Sequence, residues 1–281
     1  MPELPEVETI VRRLNPLLAG RRLDKVKVLR EKSFKGGVGE VIGATVKRVW
    51  RRAKLLTIDL DNDRHLLIHL KMTGQLIFVD KEAKVGGGHP TKDWLDQLPG
   101  KHTRVMLKFS PSGTLFFNDM RVFGWMKIVD NQALVQEISK YGLDIINPKL
   151  TPDYFYQLLQ SSRRAVKLVV LDSHKVAGVG NIYACDGLNL AKISPFRPAN
   201  SLTQAESQRL LKSLRQVVNL GIKRQGATIS NYMTADGVKG GYQDIIRVYG
   251  KEGLSCPNCG TPIVKIKQGG RGTYWCERCQ R

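Results

Sequence analysis

Apolar residues recur at helical spacing within the first twenty positions: Val7, Ile10, Val11, Leu14, Leu17 and Leu18. Pro5 suits the first turn of this predicted helix, and Gly20 suits its end. Runs with strand character follow, among them KVKVLR, GATVKRVWRR, KLLTIDL, HLLIHLKM, QLIFVD, RVMLKFS, TLFFND and WMKIVD. Because no helical pattern separates these strands, the sequence predicts an antiparallel β-sandwich.

The pattern becomes helical from about residue 133. Four segments show helical spacing: ALVQEISKYGLDII, TPDYFYQLLQSS, RRAVKLVVLDS and TQAESQRLLKSLRQVVNLGIKRQG. The last carries one apolar stripe, which we expect in the core: Leu210, Leu211, Leu214, Val217 and Val218. The sequence therefore predicts an α+β protein, with a β-sandwich domain (1–132), a linker (133–149), a helical domain (150–243) and a C-terminal hairpin (244–281).

Two segments show neither the helical spacing nor the strand character of the rest of the chain. Residues 81–101 are predicted to form a long surface loop, to which we assign no role. Residues 226–243, GATISNYMTADGVKGGYQ, are glycine-rich and polar, a composition typical of a mobile loop.

Charge narrows the choice of partner. The chain has 45 Lys and Arg against 25 Asp and Glu, a net charge of +20, and the basic residues recur along its length. Such an excess favours a polyanion such as nucleic acid over a merely solubilising surface, but it does not distinguish DNA from RNA. No apolar run approaches the roughly 18 residues of a membrane span, and the acidic start does not resemble a signal peptide. We expect a cytoplasmic protein without membrane association.

Four of the five cysteines form two close pairs, Cys256 with Cys259 and Cys276 with Cys279. This spacing is typical of a zinc ion held by four thiolates. Four thiolates fill a tetrahedral site, so the predicted zinc is structural. The segment between the pairs reads as a hairpin whose tip carries Arg271, and Cys185 is expected to pack as a small apolar residue.

A glycine-bearing turn, AGVGN, precedes the helix-like segment IYACDGLNLA. Free N–H groups at such a helix start can bind a phosphate, and Asn181 can cap the helix or contact the anion. An ordinary capped turn explains this pattern equally well.

The first residues, MPELPEVET, carry candidate chemistry. Removal of the initiator Met ahead of a small residue would expose Pro2 as a secondary amine, and an α-amino group has a pKa near 8. A neutral amine attacks an electrophilic sugar carbon, and the iminium formed acts as an electron sink. Glu3 and Glu6 lie nearby as candidate proton donors or acceptors, although acidic residues also simply favour helix starts.

Six motifs carry a resemblance that spans essentially the whole chain: PELPEVET, RRAK at 51–54, HLKMTG at 69–74, NDMRVFG at 118–124, AGVGNIYA at 177–184 and the C-terminal cysteine pairs. In this order they resemble the bacterial formamidopyrimidine-DNA glycosylases of the endonuclease VIII-like superfamily. The resemblance implies a β-sandwich with an N-terminal helix, a helical domain containing a helix–two-turn–helix, and a zinc-ribbon hairpin. It also implies a partner, duplex DNA containing oxidised bases or abasic sites, and a monomer.

The same resemblance implies catalytic roles at the N-terminus. Pro2 would attack C1′ of the damaged nucleotide and expel the base, Glu3 would protonate the sugar ring oxygen, and Lys54 would contact phosphate and assist at the sugar. Glu6 would help to organise the lesion pocket.

DNA contacts are implied elsewhere. The damaged nucleotide must leave the duplex, and Met72, Arg121 and Phe123 would fill the vacated stack and face the orphaned base. The residues expected to hold phosphates or to lie on the DNA side are His69, Asn181, Arg271, Lys167 and Tyr249.

The implied reaction is base excision followed by elimination of both phosphates, without hydrolysis of the strand. Segment 226–243 resembles the loop that closes over 8-oxoguanine, which favours oxidised purines over the oxidised pyrimidines of an endonuclease VIII-type enzyme. A non-catalytic DNA-binding protein of the same fold is the remaining alternative. Three departures from the family pattern are Val122, where a second arginine is frequent, Met120, where proline is frequent, and Lys71, where glycine or arginine is common.

Overall fold

The computed structural model describes residues 2–88, 98–227 and 240–281, together with the backbone of 233–234. The chain forms two compact units: Met1–Lys140 with Arg224–Gln243, and Tyr141–Lys223 with Asp244–Arg281. The helices of the described residues are α1 (Leu4–Leu18), α2 (Asn131–Ser139), α3 (Pro152–Gln160), α4 (Val166–Val170), α5 (Asn181–Ala191) and α6 (Gln204–Lys223). The domain limits inferred from the sequence remain predictions.

The strands of the first unit are β1 (Arg22–Val28), β2 (Phe34–Lys35), β3 (Val46–Arg52), β4 (Leu55–Leu60), β5 (Arg64–His69), β6 (Gly74–Val79), β7 (Lys84–Gly88), β8 (Thr103–Ser110), β9 (Thr114–Asp119), β10 (Trp125–Asp130) and β13 (Met233–Thr234). Those of the second are β11 (Leu143–Asp144), β12 (Val176–Ala177), β14 (Val264–Gln268) and β15 (Arg271–Trp275).

Two sheets build the first unit, as the sequence predicts. One has the order β1-β8-β9-β6-β7-β13 and the other β2-β10-β5-β4-β3. Pairing is antiparallel except between β2 and β10. Apolar side chains from both sheets and from α1 form one buried cluster, in which Ile10, Leu66 and Phe117 are completely buried.

Helix α1 begins at Leu4, with Pro5 in its first turn. Its apolar positions Val7, Ile10 and Leu14 are buried, because the stripe predicted from the sequence faces the strands. The helix ends at Leu18, and Gly20 follows with a φ of +82°.

Part of the predicted surface loop 81–101 is strand β7, which pairs with β6. The sequence predicted a loop instead of a strand because a glycine-rich segment has low strand propensity. Glycine is required here, because a Cβ on Gly86 would lie 1.9 Å from the Leu76 carbonyl oxygen. Residues 89–97 lie outside the described residues.

Helices dominate the second unit. The apolar stripe of α6 is buried, and α6 packs on α5. Two predicted helices are shorter than their sequence patterns. The first ends at Ser139, because Gly142 lies against the Lys175 carbonyl and the chain then forms β11; the other contains only Val166–Val170.

Strands β14 and β15 form the predicted C-terminal hairpin, with Gln268 paired to Arg271 at its tip. Within the part of the chain that the structure describes, no helix is both long and apolar enough to cross a membrane.

Candidate functional site

The start of α1 places the candidate catalytic residues in a buried position. Pro2 is buried and Glu3, at the N-cap, is 4% exposed. The Glu3 backbone N–H donates to Glu6 Oε2 at 2.8 Å. The other oxygen of that carboxylate, Oε1, accepts from the Ala227 backbone N–H at 2.8 Å. Glu6 therefore connects the helix start to the root of segment 226–243.

Lys54 lies in the turn between β3 and β4. The preceding Ala53 has a φ of +55°, and Arg51 donates to its carbonyl oxygen at 3.3 Å. Arg51 is also paired with Glu8 of α1 at 2.6 Å. Burial raises the pKa of Glu8, but the charge of Arg51 and the hydrogen bonds from Arg12 and Arg51 outweigh it and hold that pKa below its usual value. This ion pair fixes the Lys54 turn relative to α1.

His69 ends β5 as a neutral imidazole. Burial, followed by the charges of Lys71 and Lys54, lowers its pKa from 6.5 to about 3. Its Nδ1 accepts the Lys71 backbone N–H at 3.0 Å, so we assign the proton to Nε2. A phosphate at His69 would therefore meet a neutral N–H donor.

Two turns of the first unit expose the three residues expected to enter the duplex. Met72 is 41% exposed in the β5–β6 turn, and Phe123 is 50% exposed in the β9–β10 turn. The Arg121 guanidinium lies 4.7 Å from the centre of the Phe123 ring, a cation–π contact. We refer to these two turns as the wedge turns.

Asp119 joins the wedge turns. This completely buried carboxylate accepts from the Thr73 hydroxyl, from the Gly124 backbone N–H at 2.6 Å and from the Arg121 backbone N–H at 3.2 Å. The Thr73 hydroxyl oxygen also accepts from the Arg121 N–H, at 3.0 Å. A single buried side chain thus positions both turns.

In the second unit, three predicted DNA-binding residues converge on the hairpin tip. Asn181, the first residue of α5, donates to the Gly272 carbonyl oxygen at 2.9 Å. Lys167 is completely buried and donates to the Thr273 hydroxyl at 2.6 Å and to the Gly272 carbonyl at 3.4 Å. Arg271 is exposed at the tip. Arg271 is therefore available to a phosphate, whereas the Lys167 ammonium stabilises the hairpin through its contacts with Gly272 and Thr273.

Tyr249 is held by Asp186, a completely buried residue of α5. The Asp186 carboxylate accepts the backbone N–H groups of Arg247 at 3.0 Å, Val248 at 3.0 Å and Tyr249 at 3.2 Å. The Tyr249 ring lies 4.9 Å from that of Tyr274 on the hairpin. This loop therefore has a fixed position against β15.

The four paired cysteines meet beside the hairpin, with their sulfur atoms all within 4.8 Å of one another. Cys276 is held further by Gln280, whose Oε1 accepts the Cys276 N–H at 2.9 Å. Four sulfur ligands suit one tetrahedral zinc ion. Cys185, as expected, is buried in the apolar cluster next to these residues.

Sequence reasoning missed two residues that position the site, Asp119 and Asp186. The motif NDMRVFG contained a signal for Asp119, since an aspartate ahead of a tight turn commonly accepts nearby backbone N–H groups. Asp186 gave no such signal, because its partners lie about sixty positions further along the chain. In the predicted capping segment 226–243, residues 228–232 and 235–239 lie outside the described residues.

Three family models match the chain. The formamidopyrimidine-DNA glycosylase N-terminal domain matches residues 1–126, and the helix–two-turn–helix domain of the same enzymes matches 141–233. The zinc finger found in FPG and IleRS matches residues 253–281. The chain belongs to the formamidopyrimidine-DNA glycosylase family. Its curated relatives include the enzymes of Desulforamulus reducens, 36% identical over 100% of this chain and 99% of that protein, and Sphingopyxis alaskensis, 38% identical over 100% of both.

Solved glycosylase structures match the whole fold. The MutM (Fpg) protein of Thermus thermophilus has a TM-score of 0.86 at 36% identity, covering 99% of this chain and 98% of that one. A Lactococcus lactis Fpg variant in complex with DNA containing Fapy-dG has a TM-score of 0.88 at 30% identity, with 100% of both chains covered. The predicted fold class, family and zinc site are confirmed, and the protein is a DNA glycosylase that repairs oxidised bases.

Proposed function

We propose that this glycosylase removes oxidised purines, 8-oxoguanine and formamidopyrimidines, from duplex DNA through a Schiff base on Pro2, and then cleaves the strand by β,δ-elimination. The observation that carries this proposal is the buried start of α1, where Pro2 and Glu3 adjoin and Glu6 fixes the Glu3 backbone. A pure DNA-binding protein has no need of a proline that becomes an amine, once Met1 is removed, beside a buried carboxyl.

The proposed chemistry runs through residues of the first unit. The Pro2 nitrogen, exposed once Met1 is removed, bonds to C1′ as the bond from C1′ to the base breaks. Glu3 protonates the ring oxygen, the sugar opens and an iminium forms. The iminium acidifies C2′, so loss of a C2′ proton expels the 3′ phosphate, and a second elimination expels the 5′ phosphate.

The remaining residues bind and distort the DNA. Lys54 and His69 bind phosphate near the reacting sugar, and Met72, Arg121 and Phe123 enter the stack that the flipped nucleotide leaves. Arg271 and the start of α5 at Asn181 bind further phosphates, and Tyr249 lies on the DNA side. In this proposal Lys167 acts by supporting the hairpin. The enzyme works as a monomer in the bacterial cytoplasm, on the nucleoid.

Borohydride trapping tests the proposal. Two forms of one preparation are compared, one with a tag fused ahead of Pro2 and one from which a protease has removed the tag to leave Pro2 first. We expect the cleaved form to become covalently linked to a duplex with 8-oxoguanine opposite cytosine, and the tagged form to bind the duplex without being trapped. Equal trapping of both forms would exclude Pro2 as the nucleophile. Preferential trapping on thymine glycol opposite adenine would indicate oxidised pyrimidines as the substrate.

A further inference from the structure

The wedge turns border a cavity of about 780 Å³ in the first unit. Its apolar wall comes from Met72, Phe123 and Trp125, two of which are the exposed residues of the wedge turns. The Trp125 ring also lies 5.9 Å from the ring of His69, a proposed phosphate ligand. The cavity therefore adjoins the wedge turns, which the proposed function places in the duplex.

Cations surround this apolar wall. Lys32, Lys35, Lys71 and Lys127 line the cavity, together with one carboxylate, Glu137. Glu137 pairs with Lys127 at 3.3 Å and with Lys140 at 3.0 Å, and the hydrogen bonds from these lysines hold its pKa below the usual value. Counted over the residues that the structure describes, the groups lining the cavity carry a formal charge of +3, four ammonium groups less one carboxylate.

The cavity has a preorganised edge. Lys71 and Val122 line it with φ angles of +51° and +56°, a left-handed conformation that is unusual for a lysine and more so for a β-branched valine. Such backbone persists only where the surroundings enforce it, and here the Asp119 hydrogen bonds join the two turns. The apolar wall therefore exists before any ligand binds.

An aromatic wall beneath a ring of ammonium groups matches the chemistry of a nucleotide unit in a strand. Bases stack on aromatic side chains, while phosphates attract lysines. Inorganic phosphate alone would leave the aromatic wall unused, and an uncharged apolar ligand would leave the lysines unused. Of the residues in the apolar wall, Phe123 is the one that the proposed function places against the orphaned base. Arg121 covers part of that ring but does not line the cavity.

We propose that this cavity binds a nucleotide of the strand opposite the lesion, next to the orphaned base, with its base against Phe123 and Trp125 and its phosphate against Lys35 and Lys71. This inference rests on the proposed function, which places the wedge turns in the duplex. It assigns to Lys71 a role in binding the undamaged strand.

Neutral phosphate analogues in the DNA show which phosphate lies against the lysines of the cavity. The duplex carries a tetrahydrofuran abasic analogue, which is bound but not processed, and single methylphosphonates are placed along either strand. The pocket variant is Lys35→Gln with Lys71→Gln. The control is Lys27→Gln with Lys108→Gln, which removes the same charge from a separate recess of about 170 Å³ on β1 and β8.

We expect the wild type and the control to lose affinity when a phosphate opposite the lesion is neutralised, and the pocket variant to be insensitive at that phosphate. The slope of log affinity against log salt should fall by about one in the pocket variant, because both lysines hold the same phosphate. If the pocket variant and the control responded equally, the effect would come from the loss of positive charge in general and not from this cavity. The proposal would be overturned if the pocket variant lost its sensitivity only at phosphates of the lesion strand, or at no phosphate of either strand.

A fluorescent base reports the apolar wall. With 2-aminopurine next to the orphaned position, we expect its fluorescence to change on binding to the wild type and to change much less on binding to Trp125→Leu. An identical response would remove Trp125 from the contact. Borohydride trapping of the wild type on an abasic duplex separates the two proposals. If the wild type is trapped but the pocket variant responds to every neutralised phosphate as the wild type does, only the nucleotide-binding cavity is rejected. If the wild type is not trapped, the proposed chemistry is rejected.

Discussion

The carboxylate of Glu6 and the backbone N–H of Ala227, 221 positions apart in the chain, form a buried hydrogen bond of 2.8 Å. Through its other oxygen the same carboxylate accepts the Glu3 N–H. The residue beside the proposed nucleophile and the root of the glycine-rich segment are therefore positioned by one side chain. Any displacement of that root is transmitted to Glu3 through two short contacts.

Glu6→Gln should loosen both connections. An amide offers one acceptor oxygen where the carboxylate offers two, so one buried N–H loses its partner, at a cost of about 1–3 kcal/mol in the free energy of unfolding. We expect faster hydrogen exchange at the Ala227 amide and slower base excision. The control is Glu31→Gln, the same change at an exposed position. Unaltered exchange at Ala227 would contradict this connection.

Asp119→Asn should weaken the wedge turns specifically. Its NH₂ group would face a backbone N–H, so the turns would lose support while the side chain keeps its shape. We expect excision from duplex DNA to fall by on the order of tenfold or more, and excision from a single strand, which needs no wedge, to change much less. Thr73→Val, which replaces the hydroxyl with a methyl group, should show a smaller effect in the same direction. Equal losses on both substrates would indicate general destabilisation instead.

His69 should not titrate between pH 8 and pH 5. Its folded pKa of about 3 lies below the ordinary value of 6.5, so on acidification the unfolded chain takes up a proton first. Its contribution to stability is therefore complete above pH 6.5 and is lost as the pH falls towards 3. Ring NMR shifts should stay constant from pH 8 to pH 5. Lys71→Gln should raise the pKa by removing a nearby charge, and a wild-type midpoint near 6.5 would refute the neutral assignment.

Cys256→Ser should release zinc and reduce DNA affinity, because three thiolates no longer complete the tetrahedron and the hairpin depends on the metal. Cys185→Ala is the matched control, since Cys185 lies in the adjoining apolar cluster and is not one of the four grouped thiols. Zinc content and affinity for an abasic duplex provide the readouts. Full zinc content in Cys256→Ser would refute the four-cysteine site.

Arg271 and Lys167 should differ in their response to salt. Arg271→Gln removes an exposed cation, and the slope of log affinity against log salt should fall by about one. Lys167→Gln alters a buried support, so affinity should fall with little change in that slope. A slope reduced equally in both variants would place the Lys167 ammonium on a phosphate.

The sequence predicted features that local patterns encode. The amphipathic spacing of α1 and α6, the runs with strand character and the cysteine pairs all correspond to the structure. It did not predict β7, because that strand depends on glycine for the close approach of Gly86 to the Leu76 carbonyl. Nor did it predict the networks of Asp119 and Asp186, because tertiary folding creates those contacts. Buried Lys167 shows the same limit, since composition does not reveal where an ammonium group points.

The carbonyl oxygen of Gly272 receives hydrogen bonds from both Asn181 and Lys167, on a hairpin whose base is the four-cysteine cluster. The four-cysteine cluster and the proposed phosphate-binding residues therefore depend on the same hairpin, through Gly272 and Thr273. Loss of the zinc, or oxidation of the four thiols, would free the hairpin and lower the affinity for DNA even where the rest of the chain is intact. Oxidised bases would then persist under the very stress that creates them.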